Sequence, residues 1–167
     1  MKTLVTYASS TGNTKKIAQA IHDALDGEKY IHPIDEVSDA SGYDLVFVGF
    51  PVVGETMPGK VRRFVRKKLK GKKVALFFTH GMPSDMSDFK DVMPNCIESA
   101  AGTKIIGAYD CQGNMVPWVP KVLRLHPFGY VRRWAKMGPE AHGAGRPNID
   151  DIAAAQTFAR SVAAKSI

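Results

Sequence analysis

Apolar residues occur along this chain in short runs that alternate with longer segments of helical spacing. Five runs predict strands, at residues 3–8, 29–34, 44–50, 73–79 and 103–109. Four longer segments carry their apolar residues on one side and predict helices, at residues 15–25, 58–69, 87–101 and 150–165. Strands that alternate with helices in this way favour an α/β fold, a parallel sheet with helices on both faces.

The segment 115–148 follows neither pattern. It contains five of the ten prolines and is too long to be an ordinary connection. The chain length of 167 residues fits one domain of this class. We therefore expect a single domain over residues 1–167, in which 115–148 is an irregular, insertion-like segment before the last helix.

The loop after the first strand carries the strongest chemical signal. Parallel sheets of this kind bind ligands beyond the C-terminal ends of their strands. The loop there has a hydroxyl or an amide at five of its six positions and one glycine: Ser9, Ser10, Thr11, Gly12, Asn13 and Thr14. It leads into a helix start, where unpaired N–H groups and the helix dipole favour an anion, so we expect a phosphate site. An ordinary capped loop is the alternative.

This phosphate loop resembles that of the flavodoxin family, whose pattern is Ser/Thr-x-Thr-Gly-x-Thr. The resemblance covers nearly the whole chain and also rests on residues 44–56 and on the order of the elements. It implies a flavodoxin-like three-layer sandwich with a five-stranded parallel sheet of order 2-1-3-4-5. It also implies FMN as the cofactor, with its phosphate in the loop 9–14.

By the same resemblance, two further loops flank the isoalloxazine ring. They are formed by Pro51, Val52, Val53 and Gly54 after the third strand, and by Thr79, His80, Gly81 and Met82 after the fourth. Gly54 would belong to a peptide that changes conformation when the flavin takes one electron; a simple turn glycine is the alternative. The loop has no Trp or Tyr, so Val53 or Met57 would pack on the ring. His80 is either a contact to the flavin or a structural hydrogen-bonding residue.

The charge distribution changes the expected set of partners. The formal net charge is +7, and basic residues are concentrated in two stretches, 60–73 and 124–136. The second stretch lies among the aromatic residues Trp118, Phe128, Tyr130 and Trp134. Such surfaces suit acidic proteins or anionic ligands, with a solvated basic face as the alternative, and no nucleic-acid module is recognisable.

Two functions follow from these observations. The first is an electron-transfer protein that shuttles electrons through bound FMN between redox partner proteins, acidic ones in this case. The alternative is an FMN-dependent oxidoreductase acting on a small planar anionic substrate such as a quinone or a tetrapyrrole. Menaquinone-dependent protoporphyrinogen oxidases and flavodoxin-like bilirubin reductases are relatives of this second kind, and the segment 115–138 would then cover the flavin.

The remaining features of the sequence bear on metal sites, disulfides and cellular location. The two cysteines have no metal-binding spacing, so we expect neither a metal site nor a disulfide framework. We identify no catalytic residue. Neither a signal peptide nor an apolar stretch of about 20 residues is apparent. We therefore expect a cytoplasmic protein with no membrane span and no nucleic-acid partner.

Overall fold

A parallel sheet forms the centre of the molecule, described here from a computed structural model. The structure describes residues 1–166, apart from the side chain of Asp88, so Ile167 of the predicted range 1–167 lies outside it. The strands are β1 (Lys2–Tyr7), β2 (Glu28–Pro33), β3 (Leu45–Pro51), β4 (Lys73–His80) and β5 (Lys104–Gln112). All neighbours pair in parallel in the order β2-β1-β3-β4-β5, which confirms the predicted order.

Helices cover both faces of this sheet. They are α1 (Asn13–Ala24), α2 (Gly59–Lys68), α3 (Val92–Ser99), α4 (Val119–Leu123), α5 (Gly129–Trp134) and α6 (Ile149–Ala164). One apolar cluster joins α1 and α6 to the sheet, and another joins α2 and α3 to its opposite face. Alternate residues of the central strands enter the two clusters, as Phe47 and Val48 of β3 do. These strands are covered on both faces, which explains their near-continuous apolar runs.

The predicted helix at 87–101 is wrong over its first turn. A short 3-10 turn, Ser87–Phe89, precedes α3 instead. The Phe89 ring packs against the His80 ring with centroids 4.2 Å apart, and this tertiary contact replaces a continuous helix. Pro94 lies in the first turn of α3, where its missing N–H costs no intrahelical hydrogen bond.

The segment 115–148 is more ordered than its composition predicts. It holds α4, α5 and a 3-10 turn at Pro139–His142. Its two ends are fixed by backbone hydrogen bonds, from Asn114 N to Arg146 O at 2.9 Å and from Met115 N to His142 O at 3.0 Å. The segment therefore leaves the sheet at the end of β5, and its last residues pair with its first ones.

Gly49 of β3 lies opposite Phe77 of β4, and a side chain there has no room. A Cβ atom at position 49 would lie 2.1 Å from two carbons of the buried Phe77 ring. We expect Gly49→Ala to lower the free energy of unfolding by about 2 kcal/mol, through overpacking of the core. Urea denaturation tests this. Gly59→Ala, whose Cβ would meet nothing within 4 Å, is the control, and an equal loss in both variants would contradict the steric cause.

Candidate functional site

The three predicted loops leave the same edge of the sheet and contact one another. Ala8 N donates to Gly49 O at 2.9 Å, which joins the ends of β1 and β3. Val52 N donates to Thr79 O at 2.8 Å, which joins the ends of β3 and β4. The structure therefore brings the predicted site residues 9–14, 51–54 and 79–82 together, although their contacts to a cofactor stay predictions.

The loop 9–14 presents a row of backbone donors at the start of α1. Gly12 precedes α1 with φ of 89°, a left-handed conformation that glycine adopts without strain. Within the described part of the chain, no protein group accepts a hydrogen bond from the backbone N–H groups of residues 10–14. A left-handed residue followed by a helix start aims such donors at one point and forms an anion-binding concavity.

Two side chains of this loop hold the site together. Thr14 is buried, and its Oγ1 shares a hydrogen bond of 2.9 Å with Thr79 Oγ1. Asn13 Nδ2 donates to Thr11 Oγ1 at 3.0 Å and to Asn114 O, just after β5, at 2.9 Å. These two side chains therefore tie the loop 9–14 to the ends of β4 and β5.

The loop after β3 contains a tight two-residue turn. Val53 and Thr56 form an isolated antiparallel bridge, and the residues between them, Gly54 and Glu55, have φ of 59° and 63°. Two consecutive positive φ values are those of a type I′ turn. Glu55 has a Cβ atom, so its left-handed conformation costs roughly 1–2 kcal/mol. Surrounding contacts must maintain this turn.

Those contacts come from two other parts of the chain. The hydroxyl of Tyr130, in α5, donates to Glu55 Oε1. Asn95 of α3 donates through Nδ2 to Glu55 O at 3.4 Å, and Ser99 shares a hydrogen bond of 2.9 Å with Thr56. Neither Glu55 nor Tyr130 was identified as a site residue from sequence, because no local pattern links residues 75 positions apart.

Of the two apolar residues proposed for the ring, only one faces outward. Val53 is 61% exposed, whereas Met57 is 1% exposed and packs in the core cluster beneath α2. An apolar contact from this loop to a flat ligand is therefore available from Val53.

His80, at the end of β4, is buried, and both of its ring nitrogens face acceptors. Nδ1 donates to Met82 O at 2.6 Å, and Nε2 lies 3.0 Å from Asp110 Oδ2. A carbonyl oxygen only accepts, so Nδ1 carries the donated proton, and Nε2 is engaged by Asp110. His80 thus anchors the start of the loop after β4, which favours the structural interpretation over a direct flavin contact.

Asp110 of β5 is the partner that sequence reasoning did not identify. Burial opposes its charged form, but the hydrogen bond and charge of His80, with a further hydrogen bond from Ser84, outweigh burial and lower the pKa of Asp110. The pairing of β4 with β5 explains the contact. Phe78 lies opposite Asp110, and His80 is two residues further along β4 on the same face of the sheet. The register itself follows only from the fold.

Gly81 gives the segment 115–138 close access to the site. A Cβ atom at this position would lie 2.3 Å from Met115 Cε and 3.3 Å from the Trp134 ring. Gln112 Nε2 bridges Gly81 O at 2.8 Å and Ala141 O at 3.0 Å. Together with the contacts of Tyr130 to Glu55 and of Asn114 to Asn13, this means that residues 114–141 touch all three loops of the site.

The described residues provide no metal site, no membrane-spanning helix and no reactive thiol. They contain no group of three or more His, Cys, Asp or Glu side chains placed to hold a metal ion. No helix among them is long and apolar enough to cross a membrane. The thiols of Cys96 and Cys111 are buried, and burial raises the pKa of each to about 12, so neither is a reactive nucleophile.

Known proteins with similar sequences include a flavodoxin-like domain-containing protein, BilS, from Clostridioides difficile. It is 31% identical to this chain, and the match covers 99% of this chain and 98% of BilS. An uncharacterized protein from Methanocaldococcus jannaschii is 30% identical, with 97% of this chain and 98% of that protein covered.

Solved structures agree in fold. An archaeal flavodoxin superposes with a TM-score of 0.60 at 17% identity, over 99% of both chains. A flavoprotein from Lactobacillus acidophilus, solved in complex with FMN, superposes with a TM-score of 0.54 at 22% identity, over 65% of this chain and 92% of that one. The family model of the flavodoxin domain matches residues 4–160, and this chain belongs to that family.

Proposed function

We propose that this chain binds FMN at the C-terminal edge of its sheet and transfers electrons through it between redox partners in the cytoplasm. FMN as the cofactor is supported by membership of the flavodoxin domain family. The observation that carries the site assignment is the row of backbone N–H groups at residues 10–14, which lies beside the two loops after β3 and β4.

The donor set of the loop suits a phosphate ester. Five backbone N–H groups and the hydroxyls of Ser9, Ser10 and Thr11 offer donors, and residues 8–16 include no carboxylate that would repel an anion. Lys16 is engaged elsewhere, since its Nζ donates to Pro147 O at 2.7 Å. The phosphate is therefore held chiefly by backbone groups and by the positive end of α1.

The remaining residues position and cover the flavin, which supplies the ability to accept and release electrons. The turn at Gly54–Glu55, with exposed Val53, borders one side of the ring. The backbone of Gly81 and Met82 borders the other side, held in place by His80 and by Gln112. His80 acts here as a positioning residue, because its ring nitrogens are both occupied.

A second candidate function rests on the segment 114–141. Because it touches all three loops, it would restrict access to the flavin, a feature that suits an enzyme acting on a small substrate. Trp118 and Phe128 are exposed aromatic residues, and Arg124 and Arg133 make no ion pair among the described residues. These side chains would stack on a planar anion, such as a quinone or a carboxylated tetrapyrrole, and neutralise its charge.

Electron transfer to an acidic protein should depend on the basic surface of α2. Arg62 and Arg66 are exposed and line the same small cavity as Thr56 of the flanking loop. For FMN-loaded, chemically reduced protein, we expect Arg62→Glu/Arg66→Glu to slow reoxidation by an acidic acceptor protein about tenfold at low salt, because it removes steering charges. Anaerobic stopped-flow absorbance of the flavin measures the rate.

The matched control is Lys104→Glu/Arg160→Glu at the opposite edge of the sheet, which should leave this rate unchanged. The carrier proposal fails if neither pair of substitutions changes the reoxidation rate and the reduced protein instead reduces quinones or tetrapyrroles catalytically. The second candidate function then replaces it.

A further inference from the structure

The segment around α4 presents a row of large apolar side chains to solvent. Trp118 is 64% exposed, Val122 57% and Leu125 87%, and Phe128 follows at 58%. Helical hydrogen bonds run from Val122 N to Trp118 O and on to His126 N, so residues 118, 122 and 125 lie on one face of this turn. The opposite face is covered, since Pro120 is buried. We call these four residues the apolar ridge.

Cations flank the apolar ridge, and no acidic residue accompanies them. The stretch from Asn114 to Pro139 contains Lys121, Arg124, Arg132, Arg133 and Lys136 but no Asp or Glu. Arg132 makes hydrogen bonds within the segment, because its guanidinium donates to His126 O at 2.8 Å and to Pro127 O at 2.6 Å. The other four make no ion pair among the described residues and are exposed.

The composition of the apolar ridge favours a lipid surface over a protein as its partner. Between Trp118 and Phe128 there is no Ser, Thr, Asn, Gln, Asp or Glu, so the exposed side chains offer apolar surface and cationic donors but no side-chain acceptors other than His126. A specific protein interface uses about one hydrogen bond per 100–200 Å², with donors and acceptors on both sides. Lipid headgroups and acyl chains require only cations and protruding apolar groups, with Trp placed at the interface.

We propose that the apolar ridge and its flanking cations dock this protein onto the surface of an anionic lipid bilayer. Trp118, Val122, Leu125 and Phe128 enter the boundary between headgroups and acyl chains, while Lys121, Arg124, Arg133 and Lys136 bind lipid phosphates. The docked segment also contacts the loops after β3 and β4, so docking brings the C-terminal edge of the sheet to the bilayer. The attachment is peripheral, in keeping with the absence of a spanning helix among the described residues.

Co-sedimentation with vesicles tests this directly and needs no redox activity. FMN-loaded protein should bind vesicles of phosphatidylglycerol and phosphatidylcholine, and should bind pure phosphatidylcholine vesicles much more weakly. Lys121→Ala/Arg124→Ala should lower the partition coefficient about 25-fold, because each cation near an anionic surface contributes about fivefold. Trp118→Ala/Leu125→Ala should weaken binding at least tenfold, through the loss of apolar insertion.

Matched variants elsewhere on the surface make the result specific. Arg66→Ala/Lys67→Ala removes two exposed cations from α2, and Ile149→Ala removes an apolar side chain that is 79% exposed. Both should bind anionic vesicles as wild type does. In addition, the tryptophan emission should shift to shorter wavelength on vesicle addition, and Trp118→Phe should abolish the shift, because Trp134 is already buried.

The proposal is overturned if wild type fails to bind anionic vesicles, or if the α2 variant loses binding as much as the ridge variant. It is also overturned if the ridge variants retain vesicle binding but lose retention on an immobilised acidic protein, which would identify a protein partner instead.

Discussion

Replacing Ser10 by aspartate should weaken FMN binding about 100-fold and leave riboflavin binding unchanged. Ser10 belongs to the row of backbone donors that precedes α1, where the phosphate is expected. A carboxylate about 6 Å from a phosphate that carries nearly two charges costs roughly 5 kcal/mol near a protein surface. Ser10 is exposed, and water and salt screen about half of this repulsion, which leaves about 100-fold in affinity. Riboflavin lacks the phosphate, so it does not experience this repulsion.

Quenching of flavin fluorescence during titration of the apoprotein measures both dissociation constants. Ser38→Asp is the matched control, because Ser38 is exposed in the segment that leads into the start of β3, at the opposite edge of the sheet. It adds the same charge without approaching the site. Equal weakening of FMN and riboflavin in Ser10→Asp would indicate a general disturbance of the fold, and unchanged FMN binding would place the phosphate elsewhere.

The features predicted correctly from sequence are those with local causes. The central strands are covered on both faces, so β3 and β4 are continuous apolar runs that need no knowledge of their neighbours. The loop 9–14 likewise combines a strand end, one glycine and a helix start within a few residues, and its left-handed Gly12 follows from that local arrangement; the binding of a phosphate there stays a prediction. The order of the strands came from the family resemblance, and the structure confirms it.

The features that sequence did not predict depend on contacts between distant residues. The Glu55 turn is maintained by a hydrogen bond from Tyr130, and His80 is held in place by Asp110 of the next strand. The 3-10 turn that replaces the start of the predicted helix at 87–101 packs Phe89 on His80. In each case the periodicity of either partner alone is compatible with several structures, and only the tertiary fold decides among them.

The ion pair between His80 and Asp110 leads to the largest expected effect on stability. The side chains of His80 and Asp110 are 3% and 19% exposed, and Nε2 lies 3.0 Å from Oδ2. Asp110→Ala leaves the buried Nε2 of His80 without its carboxylate partner, and removing one partner of a buried pair costs several kcal/mol. Because Asp110 retains some exposure, we expect the free energy of unfolding at pH 7 to fall by about 3 kcal/mol. Urea denaturation measures it.

Ser84→Ala is the matched control for this loss. It removes only the hydroxyl that donates to Asp110 Oδ2 at 3.1 Å, and should cost less than about 1 kcal/mol because Ser84 is exposed. A loss in Ser84→Ala as large as that in Asp110→Ala would contradict a role for the charge itself.

The pH dependence of this difference identifies its electrostatic origin. The pKa of Asp110 is lowered in the folded protein by His80 and Ser84 against the effect of burial, so the carboxylate stabilises the fold above the ordinary carboxyl pKa of about 4. This contribution is lost as the pH falls through the lowered pKa. The difference in unfolding free energy between wild type and Asp110→Ala should therefore shrink as the pH falls below about 4. A difference that stays the same at low pH would mean that packing, not the ion pair, positions the loop after β4.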